Sequence, residues 1–173
     1  MFIKKAFLFL VFTGVVYNSA YSQQDDFCDA LTTIIRDAPN KFRNIKGKFI
    51  QSDMNSVVYA CGIKVPGTID SRFVVSMGLF YEGALIQTRK KEDLKPVYEK
   101  YQTLLMSCLG PQGYVLTSSD NFYPGLQDYK KLVIMQEIKD EVKADAAPPH
   151  LTLEAMYDKE SKKYTIVMYV FEH

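Results

Sequence analysis

The chain has 173 residues, 47% of them hydrophobic and 24% charged, with 21 basic against 20 acidic residues for a formal charge of +1. One packed domain fits that length, and the composition excludes collagen-like, coiled-coil and wholly disordered chains. So even a charge balance supplies no global pull toward nucleic acid.

Residues 1–22 read as a cleaved signal peptide. Lys4 and Lys5 precede an eleven-residue apolar run, Ala6–Val16. That run is too short for a membrane-spanning helix, which needs about 20 residues. Ala20 and Ser22 bracket Tyr21 in a small-x-small pattern, which predicts cleavage after Ser22 and Gln23 as the new N-terminus. No Cys follows the apolar run directly, as a lipid anchor would require; Cys28 lies beyond Asp25 and Asp26. Cleavage removes two lysines and leaves 19 basic against 20 acidic residues. Residues 23–173 are then a single α+β domain with no further membrane span, placed in the periplasm or outside the cell.

The first helix is expected over 26–38. Phe27, Leu31, Ile34, Ile35 and Ala38 share one helical face, and Pro39 ends it. Strands follow over 48–53, 56–65 and 71–81, the last two alternating apolar and polar residues. Pro66 and Gly67 mark a turn, and 84–88 can add a short further strand. The second helix, 93–109, carries Leu94, Val97, Tyr101, Leu104, Leu105 and Cys108 on one stripe. Pro96 fits its first turn, and Gly110 with Pro111 supplies a stop. Residues 111–129 read as one long connection, 131–139 as a strand and 139–149 as a loop. Strands over 151–157 and 163–172 close the chain as a hairpin.

The order is therefore α-β-β-β-α-β-β-β. Strands in runs argue an antiparallel sheet of about six strands with both helices packed on one face. The last strand is apolar on both faces, which suits a central position better than an exposed edge.

Three cysteines remain after cleavage, so one internal bridge at most can form in an oxidising compartment. Cys28 near the start of the first helix and Cys108 near the end of the second meet if the helices pack antiparallel. The alternative is three small buried apolar residues. Cys61, in an alternating strand, reads as a buried free thiol.

No sequence pattern marks a catalytic centre. Metal-ligand spacings, a nucleophile elbow and a glycine-rich phosphate loop are all missing from the sequence. No cofactor, metal or nucleic acid is expected. An enzyme with a dispersed site would draw on Cys61, Ser119, Asp120 and His150, which no spacing links. The long connection is more informative, because Tyr114, Phe122, Tyr123 and Tyr129 lie among Gly, Pro, Ser and Asp. Aromatics in so long a loop either anchor a partner or fold back over a sheet edge. The sequence thus favours a non-enzymatic, exported module that binds a protein partner or small ligand. A hydrolase of an envelope or extracellular polymer and a structural subunit of an envelope assembly are the alternatives.

Overall fold

The structure, a computed structural model, describes residues 24–119, 130–136 and 149–172. The signal peptide, Asp120, Phe122, Tyr123, Tyr129 and nearly all of the 139–149 loop lie outside the described residues.

Helix α1 covers 24–37 and runs into a 3-10 turn, Ala38–Asn40, that accommodates Pro39 in its first positions. The chain then reverses through Lys41 (φ 56°) and Phe42 (φ 53°), two consecutive left-handed residues with side chains. Such backbone persists only where its surroundings hold it. The buried carboxylate of Asp37 does so, accepting bonds from the Asn44 backbone N–H (2.9 Å), Asn44 Nδ2 (2.6 Å) and Asn40 Nδ2 (3.2 Å).

Four strands follow: β1 (Lys46–Ser52), β2 (Val57–Cys61), β3 (Asp70–Val75) and β4 (Leu79–Thr88). Helix α2 spans Leu94–Leu109. Four more strands complete the chain: β5 (Tyr114–Ser119), β6 (Lys130–Gln136), β7 (His150–Asp158) and β8 (Lys163–Phe171). All pair antiparallel in one sheet of order β1-β2-β3-β4-β8-β7-β6-β5. A helix followed by a four-strand meander thus occurs twice, and the two meanders meet along β4 and β8.

The α+β class, the antiparallel sheet and the two helices agree with the sequence reading; the sheet has eight strands rather than about six. One added strand comes from a turn at 76–78 that divides the expected 71–81 strand, closed by Ser76 N–H donating to the Gly78 carbonyl at 2.9 Å. The other is β5, inside the segment read as a connection. The α-helix ends at Leu109, as expected, though by a different turn. Gly110 stays right-handed, a 3-10 turn Gly110–Gln112 follows, and Gly113 takes the left-handed conformation at φ 83°. β8 lies between β4 and β7, so both of its edges are paired, as a central strand's are.

Both helices pack on one sheet face. Phe27, Leu31, Ile34, Leu105 and Leu109 meet Phe73, Tyr81, Leu153, Ile166 and Met168 in a single core. Each such aliphatic side chain contributes about 1.5–3 kcal/mol on full burial. Phe42 meets Phe73 in a tilted pair with centroids 4.8 Å apart, and Phe27 meets Tyr101 at 5.9 Å across the helix pair. Tyr98, off the expected stripe, is buried and its hydroxyl donates to the Leu153 carbonyl at 3.4 Å. Cys28 and Cys108 form a disulfide with Cα atoms 5.2 Å apart, which fixes the start of α1 to the end of α2.

Candidate functional site

Each strand alternates, so half of its side chains face away from the helices. Among the described residues, no helix covers this second face, and the register sorts it into three rows across the sheet. The first row is Val58, Val74, Phe80, Phe171 and His150. The second is Ala60, Arg72, Glu82, Tyr169 and Thr152. The third is Asp70, Ala84, Val167 and Glu154.

The first row and Tyr169 make an aromatic cluster. His150 stacks on Phe171 with centroids 4.5 Å apart and planes 10° from parallel. Phe80 lies 5.5 Å from Phe171 and 5.7 Å from Tyr169, the latter edge-to-face. Such pairs add about 0.5–1.5 kcal/mol each beyond burial. Val58, Val74, Val167 and Thr152 are buried although they face away from the helices. At the same end of the sheet, the 53–56 and 76–78 turns carry Met54 and Met77, both fully exposed. Flexible, polarisable Met side chains beside rigid rings suit a contact surface.

The second row is polar. Arg72 Nη2 bonds Glu82 Oε1 at 2.5 Å, with Asp70 3.8 Å from the same guanidinium. The Thr152 hydroxyl donates to Glu154 Oε1 at 3.2 Å. Burial, and then the Glu82 and Glu154 carboxylates, push the Tyr169 phenol well above its ordinary pKa, against the opposing pull of Arg72. Tyr169 therefore stays neutral and serves this face as a ring and a hydroxyl.

Of the residues singled out in the sequence, His150 stands on this face, whereas Tyr114 and the three cysteines do not. Tyr114 opens β5 and is buried in the core, so its ring covers the sheet and is not a loop anchor. Burial pushes its phenol pKa up. The expected bridge partners Cys28 and Cys108 are joined. Cys61 is the free thiol; its S–H donates to the Ile63 carbonyl at 2.8 Å, and burial raises its pKa. Cys61 packs on the helix side of β2, whereas His150 stands on the other face of β7. With β3, β4 and β8 between them, the two lie about 19 Å apart at ordinary strand spacing. No thiolate–imidazole pair can form over that span. Among the described residues, no group of three or more His, Cys, Asp or Glu could hold a metal ion.

Phe80, Tyr169 and Phe171 are not singled out by the sequence, and His150 is singled out there only for a dispersed catalytic site. Their signal was present in the last strand, where Val167, Tyr169 and Phe171 alternate with Ile166, Met168 and Val170. Two-sided apolarity was read as burial on both sides, but only one side faces the helices.

No protein-family model matches the chain, and no curated protein or solved structure is significantly similar to it.

Proposed function

We propose that this is an exported, non-enzymatic interaction module that holds a protein partner or small ligand on the sheet face opposite its helices. The aromatic cluster of Phe80, His150, Tyr169 and Phe171 carries this reading. It offers rigid rings beside hydrogen-bonding groups, the composition of binding hot spots. Export rests on two supports. The 1–22 segment has the layout of a secretion signal, and a disulfide between the helices suits an oxidising compartment such as the periplasm or the extracellular space. Among the described residues, no helix is long and apolar enough to cross a membrane.

The test is native mass spectrometry of the protein purified from the exported fraction, beside a variant with Phe80→Ala and Phe171→Ala. The expected result is a chain beginning at Gln23 with a retained partner or ligand mass that the double variant loses while keeping its disulfide and circular dichroism. A partner retained equally by both proteins would overturn the assignment of this face. A bare chain that no cross-linker captures in the native compartment would overturn the interaction reading itself.

A further inference from the structure

The β1 edge of the sheet combines three features that point to one kind of occupant. The first is backbone. β1 pairs only with β2, so among the described residues its outer N–H and C=O groups have no strand beside them. The second is exposed apolar surface. Phe49 and Ile50, adjacent in β1, are 58% and 53% exposed, and Met54 follows in the next turn. The third is charge. Residues 38–69 carry Lys41, Arg43, Lys46, Lys48 and Lys64 against Asp53 alone, a local +4 in a chain whose total is +1. None of the five bases is in an ion pair among the described residues; Lys46 instead lies over the Tyr59 ring, 4.8 Å from its centroid. Asp53 is engaged in its own turn, accepting bonds from the Asn55 and Ser56 backbone N–H groups at 2.8 and 2.7 Å.

We propose that the β1 edge is a second docking surface, independent of the aromatic face, which takes an acidic, apolar, extended segment of another protein as a ninth strand. An added strand satisfies the outer backbone groups, covers Phe49 and Ile50, and sets carboxylates beside Lys46 and Lys48. A bilayer would meet the apolar side chains and the lysines but leave the edge backbone unsatisfied in hydrocarbon. A second copy of this chain would bring the same Lys46 and Lys48 to the interface. The two bulges in β1, between Lys46 and Phe49 and between Phe49 and Gln51, are further devices that keep an edge from pairing with its own kind. The edge therefore rejects itself and favours the opposite charge.

The experiment titrates the ¹⁵N-labelled, disulfide-bonded protein with a blocked alternating Glu–Val heptapeptide. Controls are an alternating Lys–Val peptide, a Glu–Val peptide N-methylated at alternate residues, and phosphatidylglycerol vesicles. The expected outcome is amide shift changes and new hydrogen-exchange protection confined to Gly47–Ser52 and their β2 neighbours, with no such change from either control peptide. Lys46→Glu with Lys48→Glu should weaken the Glu–Val peptide at least about tenfold, since charge reversal converts attraction into repulsion at two positions. Phe80→Ala with Phe171→Ala should leave it unchanged, so this surface and the aromatic face fail separately. If the double reversal does not fold, Lys48→Gln and the salt dependence of the unaltered protein carry the same information. Equal binding of the N-methylated peptide overturns strand addition. Vesicle binding through this edge without peptide binding reassigns it to a membrane surface. A β1-paired dimer in sedimentation reassigns it to a second copy.

Discussion

Removing the Cys28–Cys108 bridge tests how the two helices are held and how free the unfolded chain becomes. The bridge closes a loop with a sequence separation of 80. For a loop of that length, the chain-entropy relation gives about 4.5 kcal/mol at 25 °C, all of it from restricting the unfolded state. Little is lost from the folded side, because Phe27, Leu31 and Ile34 of α1 and Leu105 and Leu109 of α2 remain packed in the same core. A domain of this size has a total stability of about 5–15 kcal/mol, so a third or more of it is at stake. With a urea m-value of about 2 kcal/mol/M, the unfolding midpoint should fall by about 2 M. The comparison is the oxidised protein against Cys28→Ala with Cys108→Ala, each followed by far- and near-ultraviolet circular dichroism, with coincident transitions as the check for two-state behaviour. Replacing both residues avoids exchange with the Cys61 thiol. A midpoint shift under about 0.5 M would refute the reasoning, because it would show that the unfolded chain gains little freedom when the link is cut.

Three further outcomes are expected. Gly67→Ala should destabilise the fold by at least about 1–2 kcal/mol in urea unfolding, the cost of the left-handed backbone alone; Gly67 has φ 85°, and a Cβ would overlap the Tyr101 hydroxyl that donates to its carbonyl at 3.2 Å. A variant as stable as the parent would show that this loop is not fixed by Tyr101. Burial, the largest cause in each case, raises the phenol pKa of Tyr81, Tyr101, Tyr114 and Tyr169, and for Tyr81 and Tyr169 the rise is large. The unfolded chain, with tyrosines near pH 10, therefore loses its phenolic protons first. Stability should be full below about pH 10 and decline above it, while absorbance at 295 nm shows a tyrosine fraction that ionises only on unfolding; complete ionisation of a folded chain would contradict this. Finally, the Cys61 thiol should react with iodoacetamide much more slowly than free cysteine at pH 8, since burial raises its pKa and the S–H is held by the Ile63 carbonyl. Labelling at the free-cysteine rate would mean that the thiol is accessible and ionised.

The parts of the fold legible in the sequence were those where one face is buried over several turns or strand repeats. Helix α2 begins within one residue of expectation because its apolar stripe and Pro96 agree on where it starts. The division between β3 and β4 was hidden for a specific reason. Val75 and Leu79 pair directly across the 76–78 turn, so Phe73 and Tyr81 face the same side before and after it. An alternation of period two continues unchanged through such a turn, and Gly78 was its only mark. β5 was hidden by composition. It is an edge strand whose Val115 and Leu116 are partly exposed, among Ser and Thr that read equally well as loop. The candidate face was illegible because it is assembled from β4, β7 and β8, more than sixty residues apart in sequence between Phe80 and His150. Sequence periodicity reports that Phe80 and Phe171 are apolar, but only the pairing of β4 with β8 makes them neighbours.

That pairing also governs how the molecule can come apart. Among the described residues, every other strand pair is a hairpin or meander within one half, and only β4 with β8 joins residues such as Phe80 and Phe171 from opposite halves. If this seam opens, each half keeps its own ladders and exposes a long strand that fits the complementary strand of any other open molecule. This is the geometry of domain exchange. The backbone of residues 89–93 already tethers the two halves of one chain, and the link between Cys28 in the first half and Cys108 in the second adds a second tether, raising the effective concentration of one half at the other. In its oxidised form the open molecule closes on itself. The reduced form keeps only the backbone tether, and concentrated reduced protein should accumulate more exchanged dimers than oxidised protein, resolved from the monomer by sedimentation. The bridge thus preserves the individuality of each molecule as well as its stability.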